Sequence, residues 1–246
     1  WWLRQRDGEW VADVDELRGL VTPRTKAIFL CTPNNPTGAV LSVETLNAIA
    51  AVADRVGAYL VSDEVYRGAE CDGHLSPSAW GRYARSVVTG GLSKAYGLPG
   101  LRIGWVVAPP DLVAALWAAR DFTTIAPSIL SDRLALRALA PRTRQRLLTR
   151  TQQILTEHLR LLAAWVDDLA DRVDWVRPQA GAIAFLQYRA AVNSTQLAER
   201  LRREHSVLVV PGDHFGLDGY LRLGFGVERR VLEEGLARTG SVLRSL

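Results

Sequence analysis

The chain has 246 residues, 48% of them hydrophobic, enough for a buried core in one large domain or one and a half ordinary ones. Its net charge of +4 and pI near 9.4 come from arginine and are too modest for this length to make nucleic acid the leading partner. No apolar run reaches the roughly 18 to 20 residues of a membrane span, and Cys31 and Cys71 form neither a disulfide framework nor a metal spacing; two free thiols in a reducing, cytoplasmic setting are expected.

The opening WWLRQRDGEW carries no targeting character, and the chain has no methionine, so it reads as the later part of a longer protein. KAIFLC, AYLVS, SVVTG and IGWVVA each fit a buried strand. Between the first two, VETLNAIAAVADRV has apolar residues at helical spacing, with Ser42 placed as its N-cap. That rhythm predicts an α/β fold built on a mainly parallel sheet with covering helices.

DLVAALWAARDF and SILSDRLALRALA predict two more helices, and a long one follows from about Thr143 to Leu169. The arginines of PRTRQRLLTR lie on its solvated face, because Leu147, Leu148, Ile154 and Leu155 recur at helical spacing through the same stretch. Strands are expected at DWVRP, AIAFLQY, VLVV and YLRLG, and helices near Thr195–Glu204 and Glu228–Leu243. We divide the chain at residue 150, with a smaller C-terminal α+β domain over 151–246.

The functional signal lies at the strand ends. Asn35 follows KAIFLC, Asp63 follows AYLVS and Lys94 follows SVVTG, so three polar groups emerge at the carboxyl edge of one predicted sheet, where α/β folds gather ligands. Lys94 is one of only two lysines. The other, Lys26, stands at a strand entrance, where its ammonium stays in water. Lys94 precedes a Gly/Pro-rich turn that presents its amine on a connection instead of a helix face.

The segment GGLSKAYGLPGLRIGW, with CTPNNPTG and VSDEVYRG upstream and LVVPGDHFG…YLRLGFG downstream, resembles the class I/II aminotransferases, which are fold-type-I pyridoxal-phosphate enzymes. The resemblance covers about the last three fifths of such an enzyme. It implies pyridoxal 5'-phosphate as cofactor and residues 1–150 as the C-terminal part of a large cofactor-binding domain. The implied activity is a cytoplasmic, homodimeric transaminase of amino acid metabolism or biosynthesis that moves the amino group of an α-amino acid to a keto acid. It would act through a Schiff base on Lys94 and a quinonoid intermediate, with no membrane, nucleic-acid or metal partner.

Residue by residue, Lys94 would be the Schiff-base lysine and proton carrier, its pKa lowered by burial and by Arg102. Asp63 would pair with the ring nitrogen, which compensates a carboxylate ending an apolar run. Glu64 beside it should face the other way. Tyr66 and Asn35 would donate to the ring phenolate oxygen, and Ser93 and Arg102 would hold the phosphate. Arg222, with Asn35, would hold the substrate carboxylate. Gly91 stands where the family usually has a phosphate-binding serine, leaving that contact to a backbone N–H.

His214 and Phe215 either line the substrate end or pack a loop. Two other outcomes stay open. One is oxidation, cyclisation or elimination of an arginine-type amino acid in a natural-product pathway, as in capreomycidine synthase-like enzymes. The other is a pyridoxal-binding sensor domain behind a DNA reader.

Overall fold

The computed structural model describes residues 1–246. It opens with a hairpin of β1 (Leu3–Arg6) and β2 (Glu9–Ala12), followed by α1 (Val14–Leu20), whose first turn is capped by the Asp13 carboxylate accepting from the Asp15 and Glu16 N–H groups. Neither the hairpin nor α1 was expected. The hairpin signal was Asp7-Gly8: both residues take positive φ, as a two-residue turn requires.

The first large sheet comprises β3 (Ala27–Cys31), β4 (Tyr59–Asp63), β5 (Ser86–Gly91) and β6 (Gly104–Val107), in that order. The first three run parallel, with Cys31 beside Asp63 and Asp63 beside Thr89; β5 continues two residues farther, to Gly91, alongside β6. The connection α2 (Val43–Val56) starts on Ser42, whose Oγ accepts the Thr45 N–H at 3.1 Å, and stops where Gly57 turns left-handed. Leu46, Ile49, Val52 and Ala53 of α2 pack on Ile28, Leu30, Leu60 and Val88 of the sheet. Each such large side chain contributes about 1.5–3 kcal/mol by leaving water.

Two expectations need correction here. β3 is buried on alternate residues only, with Phe29 65% exposed, because α1 and α2 cover a single face. β6 joins the sheet antiparallel and is exposed along its whole length. An apolar run shows that a strand will seek cover, but not which neighbour supplies it.

Helices α3 (Pro110–Arg120) and α4 (Ile129–Leu139) lead into α5 (Pro141–Asp168). α5 buries Leu148, Leu155, Leu159, Leu162 and Val166 along one stripe, leaving most of its early arginines toward solvent. The second sheet is antiparallel, in the order β7 (Val173–Trp175), β8 (Ile183–Tyr188), β10 (Tyr220–Gly224), β9 (Val210–Pro211). It is flanked by α6 (Ser194–His205) and α7 (Arg229–Arg244). Phe185, Leu186, Leu221 and Leu223 are buried on this sheet. No helix is long and apolar enough to cross a membrane.

Two carboxylates are buried beyond the first sheet's carboxyl edge. Glu64 points away from Asp63, as alternation requires, and accepts from Ser78 Oγ and the Ala79 N–H. Glu70, 2% exposed, accepts from the N–H groups of Gly68 and Ser76 and from Ser76 Oγ. Glu70→Ala strands those donors and should lower unfolding stability of the full-length protein by about 2–3 kcal/mol in urea titrations.

Burial pushes the Cys31 and Cys71 thiols up from 9.0 to about 11. The folded chain therefore keeps two protons that the unfolded chain sheds above pH 9; this stabilisation is complete below pH 9 and is lost as pH rises toward 11. Urea midpoints measured across that window should fall, and the double variant Cys31→Ala/Cys71→Ala should fall less steeply.

Candidate active site

Because β3, β4 and β5 run parallel, the turns that follow them lie along the same edge of the sheet, that of β5 two residues farther out. After β3, Asn34 closes a tight turn: its Oδ1 accepts from Thr37 Oγ1 at 2.8 Å and its N–H donates to the Ala39 carbonyl. Asn35, half-buried at the tip, is left with its side chain free for longer-range contact.

At the end of β4, Asp63 uses Oδ1 to accept from the Val65 N–H (3.1 Å) and from Thr89 Oγ1 of β5 (3.0 Å). Its second oxygen keeps its lone pairs for another partner. Tyr66 follows in the same turn and is 8% exposed. Burial raises its phenol above the ordinary value of 10.0, helped by the neighbouring Cys31 thiol and opposed by the Arg222 guanidinium.

Lys94 lies in the turn after β5, its Nζ 5.8 Å from the centre of the Tyr66 ring. It is exposed, against the burial expected of it. Ser93 is half-buried in the same turn, which the Gly97 N–H closes onto the Lys94 carbonyl. A Cβ on Gly91 would stand 3.2 Å from the Ile103 carbonyl oxygen, so a side chain there would require β6 to give by a few tenths of an ångström.

Arg222 comes from the other sheet. It sits on β10 opposite Phe185, and its Nη1 donates to Asn35 Oδ1 at 2.9 Å, a contact spanning 187 residues of chain. The Phe215 ring lies 5.6 Å beneath the guanidinium. His214 and Phe215 help line a cavity of about 460 Å³ that Asn34, Asn35 and Trp2 also border, which favours the lining alternative for this pair.

The structure thus brings Asn35, Asp63, Tyr66, Lys94 and Arg222 to one rim, with Ser93 beside Lys94. Arg102 makes no hydrogen bond to any of them. It is exposed, in a left-handed conformation (φ 53°), and its guanidinium donates to the Pro99 carbonyl at 2.9 Å.

Sequence reading missed Thr89, which orients Asp63, and the Pro178–Gly181 loop, which touches two of the turns. Thr89 was visible as the polar residue ending SVVTG. The loop carried only a generic turn signal.

A primary amine, a carboxylate with a free oxygen and a phenol on one rim, with a guanidinium opposite, form a donor set suited to a pyridine aldehyde bearing a ring nitrogen and a phenolic oxygen.

Comparison with known proteins agrees. The family described as aminotransferase class I and II matches residues 4–238. Capreomycidine synthase of Streptomyces vinaceus is 35% identical over 96% of this chain and 60% of its own length. The aspartate/prephenate aminotransferase of Thermus thermophilus is 33% identical over 95% and 60%, and the arginine–pyruvate transaminase of Pseudomonas aeruginosa 32% over 91% and 58%. The crystal structure of a PLP-dependent aminotransferase from Streptococcus suis superposes with a TM-score of 0.90 at 37% identity, over 97% of this chain and 62% of that one. The chain therefore spans about 60% of the length of the curated relatives it matches. With its rim geometry and these likenesses together, the chain belongs to the class I and II aminotransferase family.

Proposed function

We propose that the protein is an aminotransferase acting on an α-amino acid, with pyridoxal 5'-phosphate as cofactor. The carrying observation is the hydrogen bond from Arg222 to Asn35, which sets a planar two-pronged cation beside the lysine rim. A guanidinium in that place suits an α-carboxylate, and holding the carboxylate fixes which bond at Cα faces the cofactor.

Pyridoxal phosphate, when bound, supplies an electron sink for the pair left at Cα. The Lys94 amine moves the proton at Cα. Asp63, aimed by Thr89 and the Val65 N–H, holds a proton on the ring nitrogen. Tyr66 and Asn35 would hold the phenolic oxygen, and Ser93, Arg102 and the Gly91 N–H would hold the phosphate. The exposed Arg102 must leave the Pro99 carbonyl to do so.

The functional unit is a cytoplasmic homodimer with a large domain ending near residue 150 and a smaller one after it. Exposed apolar side chains on and after α3 and on α4, among them Trp117, Phe122, Leu130 and Leu136, support a covered interface there. Light scattering of the full-length protein should give twice the chain mass; a monomer overturns the assembly.

A second reading is favoured by the 35% identity to a capreomycidine synthase: cyclisation of an arginine-type amino acid from the same proton abstraction. Incubating full-length holoprotein with amino acids plus 2-oxoglutarate or pyruvate, against O₂ alone, separates the outcomes. Amino-group transfer to the keto acid is expected, and a cyclised or oxidised product without transfer would replace it.

Borohydride reduction should leave a pyridoxyl adduct on the peptide bearing Lys94, and Lys94→Arg should remove the adduct and slow turnover by about 10²–10⁴-fold or more. An adduct elsewhere would sink the assignment. Arg222→Lys should raise KM for the amino acid about ten- to a hundredfold with a smaller change in kcat, because a charge-assisted hydrogen bond is lost.

A further inference from the structure

We infer that Gln179 is a positioning residue, which sets Asn35 relative to Tyr66 by pegging the turn after β3 to the turn after β4. The inference rests on the proposed role of those two residues.

Gln179 lies in the connection between β7 and β8 and grips the first turn at two points. Its N–H donates to the Gly38 carbonyl at 3.0 Å, and its side-chain Oε1 accepts from the Val40 N–H at 2.8 Å. Ala180 adds a second N–H to the same Gly38 carbonyl. Facing the other way, the Gln179 carbonyl accepts from the Cys71 N–H at 2.8 Å, the Gly181 N–H donates to the Ala69 carbonyl, and Ala180 pairs with Glu70 as an isolated antiparallel bridge.

Four residues thus act as a short strand wedged between two loops. The fit is tight on both sides. A Cβ on Gly38 would stand 2.5 Å from Pro178 Cβ, and one on Gly181 would stand 3.3 Å from the Tyr66 ring. The same connection runs straight into β8, whose Phe185 pairs with Arg222. Asn35, Tyr66 and Arg222 therefore take their mutual positions from one backbone segment.

Within this peg the Val40 contact is the one made by a side chain, and so the one that residue choice controls. Without it, the turn bearing Asn35 is held to the peg by the Gly38 carbonyl alone and can pivot about that atom. The peptide from Ala69 to Cys71 is bonded to backbone groups, which any residue at 179 would keep.

The test uses full-length protein with Gln179→Ala and Gln179→Glu, the latter keeping an oxygen acceptor at an exposed position. Hydrogen exchange of the cofactor-free protein should quicken about three- to tenfold for the Val40 amide in Gln179→Ala, as expected for one lost hydrogen bond, with the Ala69–Cys71 peptide unchanged. In the holoenzyme, KM for the amino acid should rise by a similar factor with kcat within about twofold, and Gln179→Glu should restore both readouts.

Unchanged exchange at Val40, or equal losses in both variants with a fall in Tm, would overturn the role. Exchange that responds as expected in a protein giving no pyridoxyl adduct would leave the peg standing while removing the proposed function.

Discussion

The parallel register of three neighbouring strands is the constraint on which the site depends. Register places Cys31, Asp63 and Thr89 side by side across about 10 Å of sheet edge, so three separate turns open along that edge, the one after β5 two residues farther out. A parallel ladder can hold that alignment only if its connections are long enough to return to the same starting edge, and α2 meets this for the first pair. Were β4 shifted by one residue, Asp63 would face the α2 core and Glu64 the rim.

The chemistry of the rim follows from that alignment in steps. Thr89 reaches Asp63 because their strands are neighbours, and the resulting hydrogen bond uses one carboxylate oxygen and leaves the other without a protein partner. Tyr66 packs into the turn because Gly181 offers no side chain against its ring. Arg222 arrives from a different sheet, on a strand whose own burial, through Leu221 and Leu223, sends alternate residues the other way. Two cores of different construction therefore meet at the rim, where the Arg222 guanidinium reaches Asn35.

Much of this was legible. The four strands of the first sheet, α2 with its Ser42 cap, the long amphipathic α5 and the C-terminal strands and helices all showed in apolar spacing, because each buries a stripe or face that repeats at its own period. The hairpin of β1 and β2 did not show. Its residues are mostly exposed, and a half-solvated ribbon lacks the alternation that marks a covered strand. β6 showed as a strand but with the wrong environment, since Gly104–Val107 is apolar in composition yet exposed in place.

By itself the sequence determined which groups could do chemistry. A lone lysine before a Gly/Pro turn, an aspartate closing an apolar run and an asparagine before a proline are local facts, set by residue type and by the strand–turn rhythm around them. Tertiary structure alone decided which of them meet. It joined Arg222 to Asn35 across 187 residues, set Gln179 between two turns and held Arg102 on the Pro99 carbonyl. The reason is physical: periodicity records whether a side chain seeks burial, whereas a hydrogen bond between distant segments depends on the direction of two backbones, which no local pattern encodes.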